Sequence, residues 1–143
     1  MSDHASLGTA AVRTLAAIRI VNGTLGLLAP HVLAARTSTD PTSTEPYYAF
    51  RMFGIRTVVL GIDLLTLTGP AQERARTQAV IIHASDTAAA LLGGLRGDVP
   101  PKVAKTTVAI SAVNTALAVV AKLCPSVGEP RARASGSKPL ARA

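Results

Sequence analysis

The sequence has few charged and aromatic residues and a single cysteine. Charged residues make up 16% of the 143 residues, whereas soluble domains usually carry about 25%, so the deficit points towards lipid. There is no Trp and only 3% of the residues are aromatic, which nearly excludes the aromatic belts of many membrane proteins. The one cysteine, Cys124, excludes an intrachain disulfide. No His lies near Cys124 in sequence, so it is interpreted as an incidental small residue and not as a nucleophile.

Basic residues outnumber acidic ones and give the chain a net charge of +7. A nucleic-acid-binding protein is one interpretation, but the basic residues match no binding motif and form no patch interleaved with aromatic residues. A basic tail beside apolar segments is instead typical of a cytoplasmic flank that faces anionic lipid. We therefore expect a lipid membrane, and no nucleic acid, as partner. The tail contains Arg131, Arg133, Lys138 and Arg142.

Prolines and polar linkers divide the chain into four apolar segments. Helices tend to stop before Pro and can begin with it, and the high Ala and Leu content favours helix over strand. We predict an all-α fold, an antiparallel four-helix bundle over residues 1–124, because short connections make neighbouring helices antiparallel. Residues 125–143 are rich in Pro, Gly, Ser and Arg and are predicted to form a disordered basic tail. The predicted helices span about 8–35, 46–68, 71–95 and 101–124.

Each predicted helix is apolar over most of its circumference and carries one narrow polar stripe. In the second helix Arg56 and Asp63 lie within about 20° of each other, and in the third His83 and Asp86 are spaced i, i+3. A soluble surface helix shows the reverse, a limited apolar stripe beside a broad polar face. The pattern favours a transmembrane bundle with a polar seam between its helices. A soluble Ala-rich bundle is the alternative, because few windows reach the ~18 uncharged residues of a confident span.

Four membrane spans place both termini on one side of the membrane. With the termini inside, the inner flanks hold more basic residues than the outer ones, in agreement with the positive-inside rule. We predict a multi-pass protein of the cell membrane with cytoplasmic termini. The inner flanks hold Arg13, Arg74, Arg76, Lys122 and the tail residues, and the outer flanks hold Arg36, Arg96, Lys102 and Lys105.

The polar stripes contain the candidate ligand-binding residues. Three arginines face two carboxylates and one histidine, which leaves one positive charge that is costly in a dry interior. Arg51, near a helix start, can extend to the interface; otherwise the spare charge can meet an anionic group of a ligand. The predicted ligand-binding residues are Arg19, Asn22, Arg51, Arg56, Asp63 and Asn114.

His83 and Asp86 are the candidate catalytic pair. Their i, i+3 spacing places both on one helix face, and a His beside a carboxylate can act as general acid or base. The alternative is a structural pair bonded across to Arg19 or Arg56. No further His, Cys or Glu cluster completes a metal site, so we expect neither a metal nor another cofactor.

Four glycines lie among these polar residues, and small residues let helix backbones approach closely in lipid. We therefore predict that they pack helices together and do not bind a ligand. They are Gly23, Gly26, Gly54 and Gly61.

Three motifs carry a resemblance that extends over residues 10 to 122. They are RIVNGTLGLLAP in the first helix, RMFGIRTVVLGIDLL in the second and HASDTAAALLGG in the third. Together they resemble small four-helix integral membrane proteins of actinobacteria and fungi, of unknown function and loosely similar to DoxX-like proteins. The shared pattern comprises Arg51, Gly54, Arg56, Leu60 and Gly61, followed by Asp86 in the next helix. The resemblance implies a membrane location and a bundle, and it implies no activity.

The sequence supports several hypotheses of function. The first is an integral membrane protein that binds a hydrophobic or amphipathic small molecule in the polar seam, where Arg19 and Arg56 meet its head group. The second is a membrane-embedded isomerase, cyclase or hydrolase of a hydrophobic substrate, with His83 and Asp86 as acid–base groups and an arginine as electrophile. The third is a structural or partner-binding subunit, including a homo-oligomer, and the fourth is the soluble bundle.

Overall fold

The computed structural model describes residues 2–37 and 42–124, and within these ranges all regular secondary structure is helical. This confirms the predicted all-α class. The predicted tail 125–143 lies outside the described residues. The helices are α1 (Ser2–Leu28), α2 (Pro30–Thr37), α3 (Glu45–Thr66), α4 (Gly69–Arg96) and α5 (Pro101–Leu123).

The first predicted helix differs from the structure, while the other three begin and end within two residues of the predicted positions. It begins at Ser2 instead of residue 8 and is interrupted at Ala29, so that α2 is a separate short helix. Pro30 causes the break because it has no N–H to donate and its ring clashes with the preceding turn. At the end of α4, Gly97 adopts a left-handed conformation with φ of 77°, which terminates the helix as glycine commonly does.

Glycines bring α1 and α3 into backbone contact. A Cβ atom added to Gly23 would lie 2.7 Å from the carbonyl oxygen of Gly54, and one added to Gly26 would lie 2.8 Å from that of Phe50. A Cβ on Gly61 would lie 3.1 Å from the carbonyl oxygen of Ala16. The predicted packing role of these glycines is confirmed.

The helices α4 and α5 pack against each other, and α5 also packs against α1. After the α1–α3 contact, the most extensive contacts are those of α4 with α5 and of α1 with α5, whereas α3 and α4 touch over a smaller area. The short helix α2 rests on α3 and α1. At one end of the molecule, Nζ of Lys122 in α5 lies 3.3 Å from Oε1 of Glu73 in α4, and it donates to the hydroxyl of Thr77.

Small apolar residues fill the interior, while large apolar residues cover the outside. Leu15, Ala16, Leu64 and Ala79 are at most 1% exposed and belong to one buried apolar cluster. Several polar side chains are buried as well: Arg19, Arg76, His83, Ser111 and Asn114. The exposed residues include Val21, Phe53, Ile55, Val59, Ile62, Leu65, Ile81, Leu91, Ile110 and Val113.

Two of the described helices are long and apolar enough to cross a membrane by length and composition, Asp3–Leu28 and Pro101–Leu123. The α3 and α4 helices, which the sequence analysis also assigned to the membrane, do not meet this criterion among the described residues.

Candidate functional site

A buried hydrogen bond joins α1 to α4 at the centre of the molecule. Nε of Arg19 donates to Nε2 of His83 over 3.1 Å, and Arg19 is 3% and His83 8% exposed. Because an arginine nitrogen can only donate, Nε2 of His83 must accept, which requires a neutral imidazole with its proton on Nδ1. The bond therefore determines the tautomer of His83.

Asp86 lies on the other side of the imidazole. Its Oδ2 is 3.8 Å from Nδ1 of His83, with the Asp86 side chain 56% and that of His83 10% exposed. This distance exceeds that of a hydrogen bond, so the contact is electrostatic. Asp86 also attracts Arg19, and the charges of these two residues balance.

One buried nitrogen of Arg19 has no acceptor among the residues that the structure describes. Its Nη2 is buried and has no hydrogen-bond partner within residues 2–37 and 42–124. An unsatisfied buried donor costs about 1–3 kcal/mol, and more when the group is charged. Buried polar groups of native proteins usually have a partner, and a donor of this kind can be satisfied by an ordered water or by a ligand.

The glycines of α3 give Arg19 its position. A Cβ atom added to Gly61 would lie 3.1 Å from Cβ of Arg19, so α3 lies directly against the base of the arginine. With α3 this close, the Arg19 side chain extends across the interior to α4. The close contact of α1 with α3 at Gly61 therefore helps to position the Arg19 side chain.

The α5 helix contributes neutral polar groups to the interior. Ser111 and Asn114 are each 8% exposed. The hydroxyls of Thr87 and Thr115 lie 3.1 Å apart and connect α4 to α5, and Thr87 also donates to the carbonyl oxygen of His83 over 2.7 Å. The predicted interior position of Asn114 is confirmed.

Other predicted ligand-binding residues lie away from this site. Asn22, Arg51 and Arg56 are exposed, and Asp63 is partly exposed. The expected interior position was wrong for Asn22 and Arg56, because the glycines determine which helix faces pack, whereas the exposure of Arg51 agrees with its expected extension to the interface. Arg56 follows Gly54 by two residues, about 200° around the helix, so it lies nearly opposite the packed face. The spare interior charge expected from Arg51 and Arg56 is therefore not in the interior.

One buried polar residue was missed in the sequence analysis. Arg76 was assigned to a cytoplasmic flank but is 0% exposed, with Nη2 donating to Oε1 of Gln72 over 3.2 Å. The spacing of Arg76 and His83 could have predicted that Arg76 is buried. The two residues are seven apart, which is about two turns, so both lie on one helix face.

Within the described residues, no group of three or more His, Cys, Asp or Glu side chains could hold a metal ion. No family model, curated protein or solved structure matches this chain.

Proposed function

We propose that this chain is a small integral membrane protein that binds the polar group of a hydrophobic or amphipathic ligand between its helices. The site comprises Arg19, His83 and Asp86. The buried Nη2 of Arg19 is the observation that carries the proposal, because this donor lacks an acceptor in the described structure. Ionisable residues inside a membrane are expensive and commonly mark ligand or ion sites.

The distribution of side chains supports the membrane location. Large apolar side chains are exposed on α1, α3, α4 and α5, while Arg19, His83 and Asn114 are buried. In lipid such an outer surface is solvated favourably, and Arg19 and His83 pair with each other across helices. Two helices are long and apolar enough to cross a membrane. This finding and the resemblance to small four-helix membrane proteins both support a membrane location.

An antiparallel four-helix bundle with cytoplasmic termini fits the contacts at the helix ends. Gly8 of α1 packs against the carbonyl of Cys124 after α5, and Lys122 pairs with Glu73 in α4. The start of α1, the α3–α4 turn and the end of α5 therefore share one end of the molecule. This end and the tail carry more of the basic residues, which the positive-inside rule assigns to the cytoplasm.

Membrane fractionation tests the location. We expect the full chain to sediment with membranes, to resist extraction by high salt and alkaline carbonate, and to be released by a mild detergent. Recovery in the supernatant after high-salt lysis without detergent would overturn the membrane assignment in favour of the soluble bundle.

A binding measurement with a matched pair of variants tests the site. The probes are sodium decanoate and methyl decanoate, added to purified protein whose thermal unfolding is followed by circular dichroism. A bound ligand raises the melting temperature of wild type. In Arg19→Gln we expect at least ~tenfold weaker binding, since a hydrogen bond to a charged group contributes about 1.5–3 kcal/mol. Arg13→Gln, an exposed arginine of the same helix, is the control and keeps wild-type binding. Equal affinity in both variants would remove the role of Arg19.

The alternative function, acid–base catalysis by His83 and Asp86, has less support in the geometry. Nε2 of His83 accepts from Arg19 and Nδ1 faces Asp86, so neither ring nitrogen is directed at a substrate. Asp86, whose side chain is more than half exposed, is the better placed of the two. Loss of turnover of a hydrophobic substrate in Asp86→Asn, with binding retained, would favour the enzyme.

A further inference from the structure

A groove lies between α4 and α5 next to the turn that connects them. It encloses about 260 Å³, just below the volume of about 300–1,000 Å³ that is typical of small-molecule sites. Both helices line it, and its lining is apolar apart from Lys105. We name it the α4–α5 groove and define it by Ala90, Leu95, Lys105 and Val108.

Small residues at the contact between the two helices lie at the base of the groove. A Cβ atom added to Gly94 would lie 2.7 Å from Cβ of Ala104, and Ala104 is buried. On the α4 side the groove is lined by Leu91 and Leu95, which are 50% and 78% exposed. The groove is therefore open at the molecular surface, which in the proposed bundle faces the acyl chains of the bilayer.

The groove extends from the helix ends towards the interior of the membrane. Ala90 lies six residues before the end of α4 at Arg96, and Val108 lies seven residues after the start of α5 at Pro101. These separations correspond to roughly 9 and 10 Å along the helices. Since the hydrocarbon core of a bilayer is about 30 Å thick, the groove reaches from the membrane surface into one leaflet. An acyl chain of that leaflet has the polarity and the depth that the groove requires.

The surface end of the groove is positively charged. Lys105 is exposed and forms no ion pair with any residue that the structure describes. Residues 95–108 hold two further basic residues, Arg96 and Lys102, and one acidic residue, Asp98. Three basic residues against one acidic residue give this segment a charge of +2. Because helical side chains tilt towards the N-terminus of their helix, which for α5 is the surface end, the Lys105 ammonium can reach the head-group level.

We infer that the α4–α5 groove binds an anionic phospholipid, with one acyl chain along Leu91 and Val108 and the phosphate at the ammonium of Lys105. Basic pockets between transmembrane helices are known to bind anionic lipid head groups. A free phosphate does not match the groove, because the apolar lining offers it no further partner and would remove its hydration.

This lipid site is separate from the site at Arg19. Ala90 lies seven residues beyond His83 on α4, which is roughly 10 Å along the helix. The inference therefore goes beyond the proposed function and shares with it only the membrane location.

Native mass spectrometry of the full chain in a mild detergent tests the inference, because it counts bound lipids and yields their Kd. The probes are dioleoyl phosphatidylglycerol, which is anionic, and dioleoyl phosphatidylcholine, which has the same acyl chains and no net charge. We expect one phosphatidylglycerol molecule to bind at least ~tenfold more tightly than phosphatidylcholine, a difference of about 1.4 kcal/mol. Equal Kd values for the two lipids would overturn the anionic class.

Substitutions of Lys105 test the role of its charge. Lys105→Gln should raise the Kd of phosphatidylglycerol at least ~tenfold, since it removes a charge-assisted hydrogen bond to the phosphate. Lys105→Arg retains the charge and should bind as wild type does. Arg36→Gln is the matched control, because it removes the same charge from an exposed position of α2, which packs on α3 and α1. Equal Kd values for Lys105→Gln and Arg36→Gln would overturn the role of Lys105.

A second pair of variants tests the groove itself. Ala90→Phe places an aromatic ring in the groove and should also raise the Kd of phosphatidylglycerol at least ~tenfold. Ala88→Phe is the matched control, because Ala88 lies about 200° around α4 from Ala90 and is exposed. Circular dichroism establishes that both variants are folded, and the Lys105→Gln measurement, at an exposed position, does not depend on them. Equal Kd values for Ala90→Phe and Ala88→Phe would overturn the groove as the site.

Two further outcomes would assign the groove to another occupant. Binding of glycerol 3-phosphate as tight as that of phosphatidylglycerol would overturn the lipid in favour of a soluble anion. A dimer that dissociates in Ala90→Phe but not in Ala88→Phe would show that the groove holds a second copy of the chain. In Arg19→Gln we expect unchanged binding of phosphatidylglycerol, so failure of the lipid site leaves the proposed function standing, and failure of the Arg19 site leaves the lipid site standing.

Discussion

At the scale of single residues, the acceptor nitrogen of His83 is the group on which Arg19 depends. In His83→Leu, Nε of Arg19 loses its acceptor beside an Nη2 that has none among the described residues. We expect the free energy of unfolding to fall by about 1–3 kcal/mol or more, the cost of a buried unsatisfied donor. His83→Gln retains an acceptor oxygen and should lose less. Thermal unfolding in a mild detergent, followed by circular dichroism, measures the difference. Similar losses in both variants would contradict the importance of the bond.

Residue types and spacing indicated part of this site and not the rest. The proximity of His83 to Asp86 followed from their i, i+3 spacing, and of the two arginines that the structural alternative offered, Arg19 is the one that bonds to His83. The exposure of Arg56 did not follow, because a polar stripe shows which residues share a face but not which face packs. Gly54 and Gly61 determine which face of α3 packs, because they allow α1 to approach on the side away from Arg56.

At the scale of helices, the contact between α1 and α3 tolerates no added atom at its glycines. In Gly54→Ala the new Cβ would lie 2.6 Å from the carbonyl oxygen of Gly23 and 2.7 Å from the backbone nitrogen of Leu27. Backbone atoms cannot move aside as a side-chain end can, so the helices must separate. We expect a loss of about 1–3 kcal/mol in the free energy of unfolding, as in other overpacked interfaces.

Gly93→Ala is the matched control for this prediction. A Cβ atom at Gly93 would meet only Cγ2 of Val99 at 3.8 Å, an ordinary contact. Ala is favoured over Gly in a helix by up to about 1 kcal/mol, so this variant should be neutral or slightly more stable. Denaturation of both variants in the same detergent provides the comparison, and equal destabilisation would show that the measured effect is not specific to the α1–α3 contact.

Helix bounds were the most predictable feature of the elements, because proline and glycine act through local backbone chemistry. The end of α4 at Gly97 and the start of α5 at Pro101 are examples. The break before Pro30 could have been predicted from the same backbone chemistry. The unequal exposure of Leu64 and Phe53, which share one helix face, was not predictable, since it depends on contacts between segments distant in sequence.

At the scale of the whole molecule, the proposed topology places the α3–α4 turn and the α4–α5 turn on opposite sides of the membrane. Thr68 and Asp98 are exposed residues of these two turns, and the chain has one native cysteine, Cys124. In a Cys124→Ser background, a membrane-impermeant maleimide should label Asp98→Cys, and not Thr68→Cys, in intact spheroplasts. Inside-out vesicles should give the reverse, because a charged reagent cannot cross the hydrocarbon core. Labelling of both positions from the same side would show that α4 does not span the bilayer. A full reversal of both patterns would keep the span and assign the termini to the outer side, against the direction of the positive-inside rule.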